Sequence, residues 1–242
     1  MDDPGTTAAA LPKRFYQRVD VADRAGGFAL LLDDKPVRTP GKKQLLLPSR
    51  GLAEAVAEEW RAQKERIDPA AMPLTKLANS AIDGVKGRED DVIGDIVNYA
   101  GSDLLCYRAE GPRGLVEAQR AHWDPVLAWA KSGLGAPFVL AEGIVHVAQP
   151  QASLDRLREA LKAQAPFGVA ALHVMTGLTG SALLALAVAL GRMTSEEAWK
   201  AAHVDEDWQI AQWGEDAEAA ARRAARRRDF DAAARALALL KD

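Results

Sequence analysis

Residues 14–48 read "RFYQRVDVADRAGGFALLLDDKPVRTPGKKQLLLP", and residues 49–60, "SRGLAEAVAEEW", change the rhythm. The first stretch holds short runs rich in valine, leucine and aromatics, punctuated by Ala-Gly-Gly, Asp-Asp and Pro-Gly. Extended runs separated by turn residues predict a small antiparallel meander of roughly three or four strands. From Ser49 the apolar period moves from two to about 3.6. Leu52, Val56 and Trp60 then stand one turn apart on a helix that Ser49 can cap. The expected fold class is α+β: a small N-terminal antiparallel β domain followed by a larger, mainly helical domain. The expected divisions are a tail over 1–13, the β module over 14–48, a connecting helix and loop over 49–72, and the helical domain over 73–242.

Helical periodicity dominates the chain beyond residue 72. "MPLTKLANSAIDGV" places Leu74, Leu77, Ala78, Ala81 and Val85 on one face, and "EDDVIGDIVNYA" does the same with Val92, Ile93, Ile96 and Val97. "DLLCYRAE" is a short β-like run. A helix from about 114 to 132 is expected to kink or restart at Asp124-Pro125. Weak strand signals at "PFVLAEGIVHV" lead into helices at about 151–164, 167–190, 194–213 and 215–240. Thr194 with Glu197 makes a capping box for the third of these.

The segment between Lys162 and Arg192 carries no Asp, Glu, Lys or Arg. It is long enough to cross a bilayer, but "HVMTGLTGS" in its middle is polar and glycine-bearing. A core helix broken near Gly177 to Gly180 is the favoured reading over a membrane span. The net charge of −3 is too small to argue for nucleic acid or a membrane surface. The lone Cys106 rules out an internal disulfide, and the acidic start resembles neither a secretory signal nor a transit peptide. A bacterial cytoplasmic location is expected.

Enzyme signatures are missing: no phosphate loop, no dinucleotide turn, no zinc spacing and no serine elbow. No catalytic residue, cofactor or metal is therefore nominated. The run of Arg222, Arg223, Arg226, Arg227 and Arg228 reads as a solvated face partly neutralised by the acidic stretch before it.

That acidic stretch is "AHVDEDWQIAQWGED", residues 201–215. On one continuous helix, Trp199, His203, Glu206, Ile210 and Trp213 form a narrow stripe, and Trp208 points almost the opposite way. Either the stripe is buried with Glu206 paired inside, or Glu206 lines a groove among tryptophans as in a protein-binding hot spot. A small-molecule enzyme using Glu206 and His203 in a cleft is a further alternative.

Taken in order, "FYQRVDV", "LLLDDKPVRTPGKKQLLLPS", "LAEAVAEEW", "MPLTKLANSAID", "SDLLCYRAEGP", "QRAHWDPVLAW", "GSALLALAVALG", "EEAW" and "DEDWQIAQWGED" resemble the F1-ATPase assembly chaperone family that acts on the α subunit. The likeness runs from about Arg14 to Leu240. One departure is Asp34, where the family often has glycine in the turn. The resemblance implies a non-catalytic protein that binds the unassembled F1-ATPase α subunit and prevents its aggregation until it joins β. It implies a monomer without cofactors, nucleic acid or an integral membrane span; organellar relatives work in the mitochondrial matrix. Partner-binding weight then falls on Glu206, Asp205, Trp208, Gln209 and Trp213, with structural roles for Trp60, Trp199 and Ile210.

Overall fold

The computed structural model describes residues 11–143 and 146–241. Residues 1–10 of the expected tail and 144–145 of the expected strand lie outside the described residues. The chain is α+β, with its antiparallel sheet at the N-terminal end and helices after it. Strand β1 (Val19–Arg24) pairs along its whole length with β2 (Gly27–Leu32), from Val19 opposite Leu32 to Arg24 opposite Gly27. Two short strands, β3 (Lys35–Pro36) and β4 (Leu46–Leu47), share the far edge of β2. The sheet is thus three strands wide with β2 in the middle, and Ala29 to Leu32 are buried consecutively instead of alternating.

The β2–β3 turn uses Asp33 and Asp34, both with positive φ (47° and 67°), as a tight hairpin turn demands. Asp33 fits this turn because its carboxylate accepts from the Gln17 and Arg18 N–H groups at 3.0 and 2.8 Å. Those bonds hold its pKa below the ordinary carboxylate value. Gly27 is a close approach: a Cβ there would meet the Leu47 carbonyl oxygen at 2.4 Å.

Helix α1 (Arg50–Arg61) starts at Ser49, whose Oγ accepts from Leu52 N, and packs Leu52 and Val56 against the sheet region. After it come α2 (Pro73–Ser80), a wider π turn over Ala81–Val85, and α3 (Glu89–Ala100). Two carboxylates pin these elements. Glu59 on α1 accepts from Leu74 N (2.7 Å), Thr75 N (2.8 Å) and Thr75 Oγ1 (2.7 Å), capping α2, whose own N-cap Met72 has no side-chain acceptor. Asp83 accepts from Thr39 Oγ1 and Gly41 N, both at 2.8 Å, and Lys43 Nζ donates to the Ile82 carbonyl at 2.9 Å. The loop "TPGKK" is thereby fastened to the start of the helical region.

The "DLLCYRAE" run contains a 3₁₀ turn (Leu104–Cys106) and only a two-residue strand, β5 (Tyr107–Arg108). This strand pairs in parallel with β6 (Ala141–Glu142). Cys106 is buried, and burial pushes its thiol up to about 12. Helix α4 (Arg113–Gly133) runs through Pro125 as one element, so the expected restart there is corrected. Proline removes one N–H, but the turns on either side continue the ladder.

The core of the helical region is α5 (Gln151–Lys162), α6 (Pro166–Thr179) and α7 (Ala182–Ala189), closed by α8 (Ser195–Ala202), α9 (Val204–Trp213) and α10 (Ala217–Leu239). Helix α6 touches α2, α3, α7 and α10. The uncharged run is divided where Gly180 takes φ 70° and Ser181 caps α7. Among the described residues no helix is long and apolar enough to cross a membrane. Asp103, fully buried, accepts from Leu105 N (3.1 Å) and Leu183 N (3.2 Å), tying the 3₁₀ turn to the start of α7. Burial raises its pKa to about 6. At the far end, Ser49 Oγ donates to the Leu239 carbonyl at 2.6 Å, joining α1 to α10.

Candidate functional site

The 194–213 segment departs from the single helix expected. The capping box of Thr194 and Glu197 is present, but α8 ends at Ala202 and His203 forms a break before α9. The stripe is therefore split between two axes. Trp199 stays in the core, its ring against Phe230 and 3.9 Å from the His203 ring. His203 is buried, and its Nδ1 lies 2.8 Å from the Trp199 carbonyl. A carbonyl can only accept, so Nδ1 carries the proton. Burial lowers the pKa of this imidazole and favours its neutral form.

Helix α9 presents two working sides. On one, Asp205 accepts from Gln119 Nε2 at 2.7 Å, while Gln119 Oε1 accepts from Ala109 N at 2.9 Å. Trp208 leans on α4 at Gly114, where a Cβ would stand 2.4 Å from the indole ring. These residues hold α9 to α4.

The other side carries Glu206, Gln209, Ile210 and Trp213. With Ala219, Ala220 and Arg223 of α10 and Glu215 of the connecting loop they wall an open groove of about 280 Å³. Trp213 is 79% exposed. Gly214, at φ 86°, ends α9 directly beneath it. Glu206 is half-exposed, and its Oε2 sits 3.9 Å from His203 Nε2 and 3.8 Å from Arg223 Nε. Neither distance is a hydrogen bond. Arg223 instead donates to Asp207 at 2.5 Å. Among the described residues, then, the Glu206 carboxylate receives no hydrogen bond and keeps its acceptor capacity. Of the two open readings of the stripe, Glu206 follows the groove, and Trp199 and His203 follow the core.

The structure thus brings Glu206, Gln209, Ile210 and Trp213 together and sends Asp205 and Trp208 to the opposite side. Ile210, expected as structural, lines the groove. Trp60 lies elsewhere, half-buried at the end of α1, with its ring 5.6 Å from Tyr16 and its carbonyl accepting from Tyr16 Oη at 2.7 Å. Sequence reasoning missed the α10 wall. Its signal was present: Ala219, Ala220 and Arg223 recur at helical spacing, giving a small-residue strip with one cation.

An exposed indole and an open carboxylate set in an apolar groove are the features by which proteins hold other proteins. A model of the ATP12 chaperone protein family matches residues 13–131. The crystal structure of a protein of Agrobacterium tumefaciens described as a chaperone is 52% identical, with a TM-score of 0.92 over 95% of this chain and 87% of that one. Atp12 from Paracoccus denitrificans is 43% identical, with a TM-score of 0.87 over 95% of this chain and 98% of that one. A variant of that protein with one aspartate replaced by lysine matches equally well. The chain belongs to the ATP12 chaperone family, which makes it a chaperone of F1-ATPase assembly.

Proposed function

We propose that this chaperone binds the unassembled α subunit of F1-ATPase and keeps it from aggregating until it joins β. It acts as a monomer in the bacterial cytoplasm, and it grips through the groove between α9 and α10. A subunit awaiting its neighbours exposes the apolar surface by which it will later pack, and such surfaces aggregate. A cover must shield that surface yet remain displaceable, which calls for binding energy and for no chemical step. The observation that carries the reading is the Glu206 carboxylate, open and unbonded beside the exposed Trp213 and the half-buried Ile210. A cationic side chain of the client would find there a charge partner flanked by apolar walls. Asp205 and Trp208 serve this site by fixing α9 on α4, and Gln209 offers a further hydrogen-bonding amide on the rim.

The test is co-expression with the α subunit. Glu206→Lys removes no internal hydrogen bond but sets a second cation beside Arg223. It is therefore paired with Glu206→Gln, which is expected to melt as the wild type does and to lose client protection in the same direction. Glu206→Lys is expected to retain at least about tenfold less soluble α, the loss typical of a hot-spot position. Normal protection of α by a folded Glu206→Lys protein would show that the grip lies elsewhere.

A further inference from the structure

We propose that the sheet side of the molecule carries a second client site, a groove between β3 and the end of α1 that takes an acidic, aliphatic stretch of the client chain. The inference rests on the chaperone reading but on none of the residues of the α9–α10 groove. The walls are Phe15, Tyr16, Leu32, Pro36, Val37 and Trp60, around about 340 Å³ of open space. Phe15 is 73% exposed, although its ring needs no such position to complete the fold: it only meets Tyr16 edge-on at 5.4 Å. An exposed phenyl ring at the mouth of an apolar groove is the kind of anchor that binding hot spots use.

The rim gives the groove its charge. Lys35 and Arg38 stand on it, and neither forms an ion pair among the described residues; Arg38 donates only to the Lys42 carbonyl, at 2.9 Å. Asp34 pairs with Arg18. Asp33 also lines the groove, and its two backbone N–H bonds keep it ionised, so it offsets one of the two cations. One net positive charge remains there, from Lys35 and Arg38 against Asp33, whereas the α9–α10 groove presents Glu206 and Glu215. The Trp60 ring lines the groove, so its indole N–H reports on what fills it. Carboxylates spaced by aliphatic side chains satisfy both features: salt-bridge partners for Lys35 and Arg38, and an apolar filling.

The test uses full-length ¹⁵N-labelled protein, with the Trp60 indole resonance assigned by Trp60→Phe. The probes are acetyl-Leu-Glu-Leu-Glu-amide and its lysine counterpart, acetyl-Leu-Lys-Leu-Lys-amide. The acidic peptide is expected to shift the Trp60 resonance and leave that of Trp213 in place; the lysine peptide is expected to leave Trp60 unmoved. Phe15→Ser is expected to weaken the acidic peptide by about tenfold, and Lys35→Glu with Arg38→Glu to reverse the preference. In co-expression, both variants should retain several-fold less soluble α subunit. The proposal is overturned if the acidic peptide leaves Trp60 unmoved, if both peptides act alike, if the charge-reversed variant keeps the wild-type preference, or if both variants retain as much α as the wild type. It is also overturned if deleting residues 1–10 is what moves Trp60, because the chain's own acidic start would then be the occupant. Glu206→Lys is expected to leave the Trp60 response intact, so the two grooves fail or stand separately.

Discussion

Glu59 is a single side chain that closes one helix while belonging to another. Its carboxylate takes both N–H groups at the start of α2 and the Thr75 hydroxyl. Glu59→Ala leaves those donors without an acceptor in a half-buried place, so unfolding should become easier by about 2 kcal/mol, read as a lower urea midpoint. Asp103 makes a different kind of prediction. Its folded pKa of about 6 lies above the 3.8 of an ordinary aspartate, so the unfolded chain ionises it more readily. Its favourable contribution is complete below the unfolded value and is lost as pH rises through about 6. The difference of about two units corresponds to roughly 3 kcal/mol at most. His203 works the other way in an overlapping window: its depressed pKa costs stability as pH falls. The contribution of Asp103 is therefore read as a difference, wild type minus Asp103→Asn, in unfolding free energy between pH 4.5 and 7.5. That difference should shrink as pH rises; a flat difference would assign the carboxylate an ordinary pKa.

Among elements, α9 is lightly held: Val204 is its one buried residue. Its anchors on α4 are the Asp205–Gln119 bond and the seat of Trp208 on Gly114. Gly114→Ala puts a methyl group inside the indole, so either α9 shifts or the pair separates, at about 1–3 kcal/mol. Client protection should fall with it while the far-UV spectrum stays unchanged, since no helix is lost. Full client protection by this variant would show that the seat of Trp208 does not position the groove. The break at His203 also marks where sequence reading stopped working. Periodicity puts Trp199 and Trp213 on one stripe because it assumes one axis; the break gives the second half its own axis, so Trp199 packs on Phe230 while Trp213 stands exposed. No local signal announces it, for "KAAHVDED" has no glycine or proline. Gly180 and the capping box at Thr194 were legible because each is a local device with its own residue types. Pro125 misled for the opposite reason: it is a local breaker overridden by the packing of Trp123, Val126 and Ala130 on the core.

At the scale of the molecule, the α+β division was readable because the apolar period changes once, at Ser49, and the change survives into the structure. The junction was not readable. Asp83 reaches back to Gly41, Glu59 forward to Thr75, and Ser49 across to Leu239, and no periodic pattern encodes contacts so far apart in the chain. The arginine-rich face of α10 was legible in kind: Arg222 pairs with Glu218, Arg223 with Asp207, and Arg227 with Glu196 and Asp231. Those pairs spend the positive charge internally; Glu206 stands 3.8 Å from Arg223 and receives no hydrogen bond from it.

The His203 break has a consequence for how this protein can change. Before it, Ala198, Trp199 and Ala201 of α8 face the core. After it, α9 buries only Val204 and is held by the Asp205–Gln119 bond, the seat of Trp208 and the Arg223–Asp207 bond. On the proposed grip, recognition sits on an element that contributes one buried side chain to the core. Substitutions along the outer side of α9 are then expected to retune which surface is gripped while the scaffold keeps its stability, much as a tool head is exchanged on an unaltered handle.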